Sequence, residues 1–445
     1  MGLKNDRSGE HSAMSNPLAA PLGQSKAARL RREAKALSDW LIHTRRDFHA
    51  HPELGWREIE TTHRIAADLA GLGYKVVAGR DMLGKATRLG MSREPIPGEG
   101  DTGCVAVFDS GRPGPTICLR VDIDALPILE ANNGHRPAAQ GWASTAPSVM
   151  HACGHDGHIV IGLGVARLLR PFLGAARGKL LILFQPAEEG GRGARAVVEA
   201  GWMADVDLLL AVHIGLGVPS GSLALDVDGF LATRKFTARF AGHAAHAGKA
   251  PEEGRNALLT ACQATLGLHG LAQSSELGIR VNVGTLHAGK TLNVVPDEAV
   301  LEFEIRAADN PALQRLDSRC RRMVESCAAA YEVTPHLELR GEAADWRNPP
   351  EVVDWANSAN SELGAFPTVL KNHAFGASED ATLLASAVAE RGGMAGIFVL
   401  GSDIPDGHHT PHFDFDESVL ERGVLLMSGL AAAALSIDRL DPPGD

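Results

Sequence analysis

The segment HACGHDGH, residues 151–158, places three histidines, a cysteine and an aspartate within eight positions. Side chains of these types in one place suit metal coordination or acid–base chemistry. Further candidates stand at the ends of apolar runs. KLLILFQPAEEGG delivers Glu188 and Glu189, DLLLAVHIG delivers His213, and TICLRVDID delivers Arg120, Asp122 and Asp124. A late run, DGHHTPHFDFDE, adds His408, His409 and His412.

Ligands of open α/β sheets gather beyond the carboxyl ends of the strands. Histidine, cysteine and glutamate converging there from distant segments point to a metal-dependent hydrolase rather than a redox or transfer enzyme. Singly, each piece has a bland explanation. A strand-end histidine is commonly solvated or packed, adjacent glutamates commonly form a surface pair, and a buried cysteine is ordinary. The coincidence of four such segments carries the reading. Neighbouring residues on an extended segment point to opposite sides. One of Glu188 and Glu189 can therefore bind metal while the other faces substrate as general base. A thiolate is a reasonable ligand, because a bound metal depresses the pKa of the thiol.

Rival motifs are weaker. Gly162–Leu163–Gly164 lies within a helical stretch and lacks the full G-x-G-x-x-G after a strand. HACGHDGH has no second ligand pair at zinc-finger spacing. GASED, residues 376–380, lacks the G-x-S-x-G of a nucleophilic serine.

The elements that must position these groups are an alternation of strands and helices. TICLRVD (116–122), KLLILFQ (179–185), DLLLAVH (207–213) and GIFVLGS (396–402) are expected as buried strands. HIVIGLGVARLLRPFL and GARAVVEAGW are expected as intervening helices, and a long first helix over residues 27–49. The expected class is α/β, with a mostly parallel sheet. A polar Gly/Pro-rich stretch near 80–101 is long for a connection and is expected to be functional or disordered. Between about 230 and 340 the texture changes to half-exposed strands such as ATRKFTARFAG and AVLEFEIRA, with helices at about 254–272 and 311–331. That order, strand–helix–strand–strand–helix, suggests a small α+β domain inserted into the larger one. The expected division is a disordered tail over 1–26, a first catalytic part over 27–230, the inserted domain over 231–341 and a second catalytic part over 342–445.

The 445 residues call for two or three domains, and 44% apolar with 22% charged residues suits a globular chain. A net charge of −11 without a basic stripe argues against nucleic acid. An anionic substrate would need local cations against that overall field. The six cysteines are scattered, which suits a reducing compartment. The polar N-terminus lacks a signal-peptide core, and no apolar run nears the roughly 20 residues of a membrane helix. A cytoplasmic location is expected.

In order along the chain, DFHAHPELGWRE, RVDIDALP, MHACGHDGH, FQPAEEG, GHAAHAG, NVVPDEA and GHHTPHFDFDE resemble the zinc/manganese amidohydrolase family of aminoacylases, carboxypeptidases and auxin-conjugate hydrolases. The resemblance covers roughly residues 40–435. It implies a catalytic domain with a site for two divalent metal ions, Mn2+ or Zn2+, and an inserted lid domain that often dimerises. The metal ligands it implies are Cys153, His155, Glu189, His213 and His409. Glu188 matches the general base. His246 matches a lid histidine that donates to the developing oxyanion, commonly from the partner subunit. Asn293 and Arg306 match lid residues that hold the substrate carboxylate, although Arg306 also suits a surface position. Asp122, Asp156, His158 and Glu379 are implied as supporting groups around the ligands. Arg120 stands where many relatives have a ligand histidine, and Cys153 where many have a bridging aspartate. His151 receives no role.

The activity implied is hydrolysis of the amide of an N-acyl glutamate or aspartate, with p-aminobenzoyl-glutamate first and indole-3-acetyl-aspartate as the alternative. A second alternative is a catalytically silent, conjugate-binding or regulatory subunit. The assembly implied is a homodimer, or a heterodimer with a related B subunit.

Overall fold

The computed structural model describes Leu18, residues 22–273, Ser275 and residues 278–437. Most of the expected tail lies outside the described residues, and its last three residues open a helix at Gln24. The long first helix is instead two, Gln24–Ala36 and Ser38–Ala50. At the break, the Ser38 hydroxyl donates to Lys35 O at 2.9 Å, diverting a carbonyl from the helical ladder.

Fourteen strands follow in chain order among the described residues. They are β1 (Lys75–Ala78), β2 (Cys104–Asp109), β3 (Thr116–Asp122), β4 (Lys179–Gln185), β5 (Leu208–Ile214), β6 (Ser222–Ala224), β7 (Val227–Asp228), β8 (Ala232–Ala241), β9 (Arg280–Ala288), β10 (Glu298–Ala307), β11 (Thr334–Ala343), β12 (Thr368–Leu370), β13 (His373–Ala374) and β14 (Met394–Leu400). The large sheet runs β1-β2-β4-β3-β5-β14-β6-β12. Its centre, β4-β3-β5-β14, is parallel, and antiparallel pairings frame it at β2 and β6.

Both faces of this sheet are covered, which is why its central strands are almost continuously apolar. Leu180, Ile182 and Phe184 of β4 face one core, together with Leu208, Leu210 and Val212 of β5. Leu181, Leu183, Leu209 and Ala211 face the other. The first core is closed by helices that include His155–Leu169 and Ser418–Ala434. Nearly every residue of the former helix is buried, and its glycines set its distance from the sheet. A Cβ on Gly162 would lie 2.9 Å from Phe184 and Val121, so this glycine serves close packing. The run His155–Ala175 has the length and hydropathy of a membrane span, yet 72% of its apolar window is buried within the fold.

The smaller sheet, β11-β8-β10-β9, is antiparallel throughout. Phe236, Ala238 and Phe240 alternate with Leu301, Phe303 and Ile305 to face helices Ala257–Gly270 and Asn310–Ala330. Strand β11 completes this sheet beside β8, an addition to the expected strand order. Its half-exposed pattern carries little apolar signal.

Candidate functional site

The site forms where β3, β4, β5 and β14 end. Cys153 and His155 lie at the start of the helix His155–Leu169, His213 lies in β5, and Glu188 and Glu189 follow β4. His409 comes from the loop after β14, where its N–H donates to Ala152 O at 2.8 Å. Its φ of 61° puts a non-glycine residue in the left-handed region, a strained state typical of functional loops.

The liganding atoms of three groups of residues each lie within 4.8 Å of one another. The groups are Cys153 with His155 and His213, Cys153 with Glu189 and His409, and His155 with Glu188 and Glu189. Cys153 Sγ is 3.6 Å from His213 Nε2, and His409 Nε2 is 3.4 Å from Glu189 Oε1. Thus the structure brings together Cys153, His155, Glu188, Glu189, His213 and His409.

These donors fit cations. His155 Nε2 and Glu189 Oε1 are buried without a hydrogen-bond partner among the described residues, an arrangement that is costly unless something binds there. His155 Nδ1 faces Asp124 O at 2.9 Å and its Oδ1 at 3.2 Å, and His213 Nδ1 faces Ile214 O at 2.9 Å. Each ring is therefore held by an acceptor on its far side and turns Nε2 to the cluster. Burial opposes charge on His155, yet the carboxylates of Asp122 and Asp124 raise it well above the usual imidazole range. Burial and the neighbouring Glu189 push the Cys153 thiol well up. Thiol, imidazole and carboxylate together suit a borderline divalent ion.

Glu188 and Glu189 do not sit on an extended segment. Ala187 has φ 52°, and Gly191 N donates to Glu188 O at 2.7 Å, closing a turn. Both glutamates line one cavity of about 340 Å³. Glu188 Oε2 is 4.0 Å from His155 Nε2. Burial, then the charges of Glu379 and Glu189, raise its carboxyl well above the ordinary range, so it readily holds a proton. Gly191, at φ 74°, accepts from Glu342 N of β11 at 2.7 Å, which ties the smaller sheet to this loop.

The remaining candidates fall in three places. His158 has both nitrogens engaged, Nδ1 with Asp122 at 2.6 Å and Nε2 with Ile214 N–H at 2.9 Å, so it braces β3 against β5. Asp156 points away from the cluster to Arg45 at 2.7 Å and His49 at 2.9 Å. Glu379 pairs with the wholly buried Arg120 at 2.9 Å, and Arg120 also binds Asp122 and Asp380. Asp380 in turn accepts from Gly193 N and Ala194 N, beyond the glutamate turn. Arg306 lines the cavity but is held by both oxygens of Glu304 at 2.9 and 3.1 Å. His246 and Asn293 are exposed and line neither this cavity nor the one beside it.

Asp124, a strand-end candidate to which the sequence assigned no role, is the structural centre of the site. Besides His155, its carboxylate accepts from Glu188 N at 3.1 Å and Glu189 N at 2.9 Å. Glu58 is a second, accepting from Ala187 N at 2.7 Å. Burial and the Asp124 charge raise its carboxyl to about 8. The one signal for Asp124 was its alternation with Asp122 at a strand end.

Residues 118–433 match the profile of Peptidase family M20/M25/M40. The chain is 42% identical over 423 residues to the A subunit of p-aminobenzoyl-glutamate hydrolase from Escherichia coli, covering 90% of this chain and 96% of that one. It is 41% identical over 414 residues to the indole-3-acetyl-aspartic acid hydrolase of Enterobacter agglomerans, covering 88% and 94%. Among solved structures, a dinuclear metal-binding M20 peptidase from Bacillus subtilis superposes with a TM-score of 0.65 at 27% identity, covering 90% and 99%.

Proposed function

The chain belongs to peptidase family M20/M25/M40, and from that premise we propose that it hydrolyses the amide bond of an N-acylated acidic amino acid, p-aminobenzoyl-glutamate. The observation that carries this reading is the cluster of donors around Cys153, with Glu188 beside it. The likeness to the Escherichia coli hydrolase supports the choice of substrate.

Cys153, His155, Glu189, His213 and His409 would hold two divalent cations, Mn2+ or Zn2+, with Cys153 common to two of the donor groups. When bound, such ions supply Lewis acidity, polarising the scissile carbonyl and acidifying water. Glu188 accepts a proton from the attacking water and passes it to the departing amide nitrogen as the C–N bond breaks. p-Aminobenzoate and glutamate leave.

In this reading the segments 27–230 and 342–445 form the catalytic domain and 231–341 the lid. His246 would donate to the carbonyl oxygen, and Asn293 and Arg306 would hold the α-carboxylate. His246 and Asn293 lie outside the cavity of their own chain, so they would act across a dimer or after lid movement. A homodimer, or a heterodimer with a related B subunit, would supply the first route. All six cysteines are free, which supports a reducing, cytoplasmic setting.

Purified protein loaded with Mn2+ or Zn2+ tests the reading, with rates on p-aminobenzoyl-glutamate and indole-3-acetyl-aspartate measured side by side. Faster release of p-aminobenzoate is expected. Faster release of indole-3-acetate would favour the second relative's substrate. Inertness towards both, alone and with a related second subunit, would overturn the hydrolase reading.

A further inference from the structure

A second cavity of about 530 Å³ adjoins the first, and the two share Glu189, Gly190, Lys235 and His409. Its lining includes the apolar side chains of Leu54, Leu126 and Pro127 and three cations, Arg57, Arg192 and Lys235.

Which of these charges is free to meet a ligand follows from their partners. Arg57 is compensated by Glu99 at 3.2 Å and bonded to the Ser92 hydroxyl at 2.9 Å. Arg306, in the first cavity, is compensated by Glu304. Lys235 stands opposite Glu304 across β8 and β10, yet Glu304 is bonded through both oxygens to Arg306 and not to Lys235. The Lys235 ammonium has neither a hydrogen bond nor an ion pair among the described residues. Arg192 donates only through Nε, to Glu189 O at 2.7 Å. Its side chain runs between Gly55 and Gly90, where a Cβ would meet it at 2.2 and 2.5 Å. Packing thus fixes its direction while its terminal nitrogens meet no hydrogen-bond acceptor among the described residues.

Lys235, half-buried where the two cavities meet, and Arg192, half-buried in the lining of the second, make no ion pair among the described residues and together offer a site for an anion. In a chain of net charge −11 they supply the local positive field that an acidic ligand needs. We propose that Lys235 and Arg192 bind the side-chain carboxylate of the substrate's acidic amino acid, and that this pair sets selection for glutamate or aspartate over neutral residues. The inference rests on the amidohydrolase reading and names a determinant within it.

The test compares p-aminobenzoyl-glutamate with p-aminobenzoyl-glutamine, which has nearly the same shape without the charge. Lys235→Met leaves no protein group unpaired and keeps the length of the side chain. It should lower kcat/KM on the glutamate compound by about ten- to a hundredfold, through KM, and leave the glutamine compound within about threefold. Arg192→Met should act in the same direction, and Lys235→Arg should restore most of the preference. Equal losses on both compounds, or an unchanged ratio, would overturn the proposal. Calorimetric binding of p-aminobenzoyl-glutamate to metal-free protein keeps the question decidable if no turnover is seen. Weaker binding by Lys235→Met supports the subsite, and equal binding sinks it. Wild-type inertness towards both amides tells against the hydrolase reading alone.

Discussion

Asp124 grips His155 twice, through its backbone carbonyl at 2.9 Å and its carboxylate at 3.2 Å, and the same carboxylate receives the N–H groups of Glu188 and Glu189. One side chain therefore sets the orientation of an imidazole and the path of the glutamate turn.

Asp124→Asn tests that relationship. The amide keeps one acceptor oxygen but presents N–H groups where the second must accept. Loss of such a supporting bond typically costs about ten- to a hundredfold in metal affinity. Titration with a chelator, read by metal content, should show that weakening with the fold intact by circular dichroism. Wild-type retention of metal would show that the grip has no bearing on the ligands.

Glu188→Gln removes the proton acceptor and keeps the size. Metal content should stay near that of the wild type, and turnover should fall by about a hundred- to ten-thousandfold. Turnover near the wild-type rate would remove Glu188 from the role of base.

Cys153 belongs to two of the three donor groups. Cys153→Ala should therefore reduce bound metal per chain more than His409→Ala, whose side chain is half exposed at the edge. Metal analysis after gel filtration decides. Equal stoichiometry in wild type and Cys153→Ala would exclude the thiol as a ligand.

Behind the site, Arg45 is wholly buried against Asp156 at 2.7 Å, Asp414 at 3.1 Å and Glu417 at 3.4 Å. Burial alone would raise the Asp156 carboxyl, but Arg45 and His49 outweigh it and hold it far below the usual range. Asp414 is depressed against burial by Arg136 and Arg45, and Glu130 by His49. Folded values below unfolded ones mean stability that is complete above about pH 4 and lost as pH falls through the depressed values. Arg45→Met removes the buried cation shared by Asp156, Asp414 and Glu417 and should cost about 3–5 kcal/mol at pH 7. In urea unfolding the gap between wild type and variant should narrow below pH 4. A gap independent of pH would show that packing of Arg45 on Phe415 and Trp142, rather than its charge, matters.

Much of the architecture was legible because its signals are local. The runs at 116–122, 179–185 and 207–213 are apolar on both faces, and only a covered parallel sheet explains that. Strand β11 was not legible, since an edge strand with one wet face carries a faint pattern. The break at Leu37 turns on one serine hydroxyl that composition does not weigh. The extended segment assumed for Glu188 and Glu189 is a turn, because Asp124 and Glu58, more than 60 residues earlier in the chain, claim its N–H groups.

By itself, the sequence determined the family, the α/β class and which residue types stand at the strand ends, because strand periodicity and motif spacing are properties of neighbours along the chain. Only the tertiary structure decided which charges are spent and which remain. Arg306 is quenched by Glu304 on its own strand, whereas Lys235, facing the same glutamate across the sheet, has no partner among the described residues. The physical reason is geometric. Which cation reaches a carboxylate depends on register and side-chain direction, which exist only once the strands have paired.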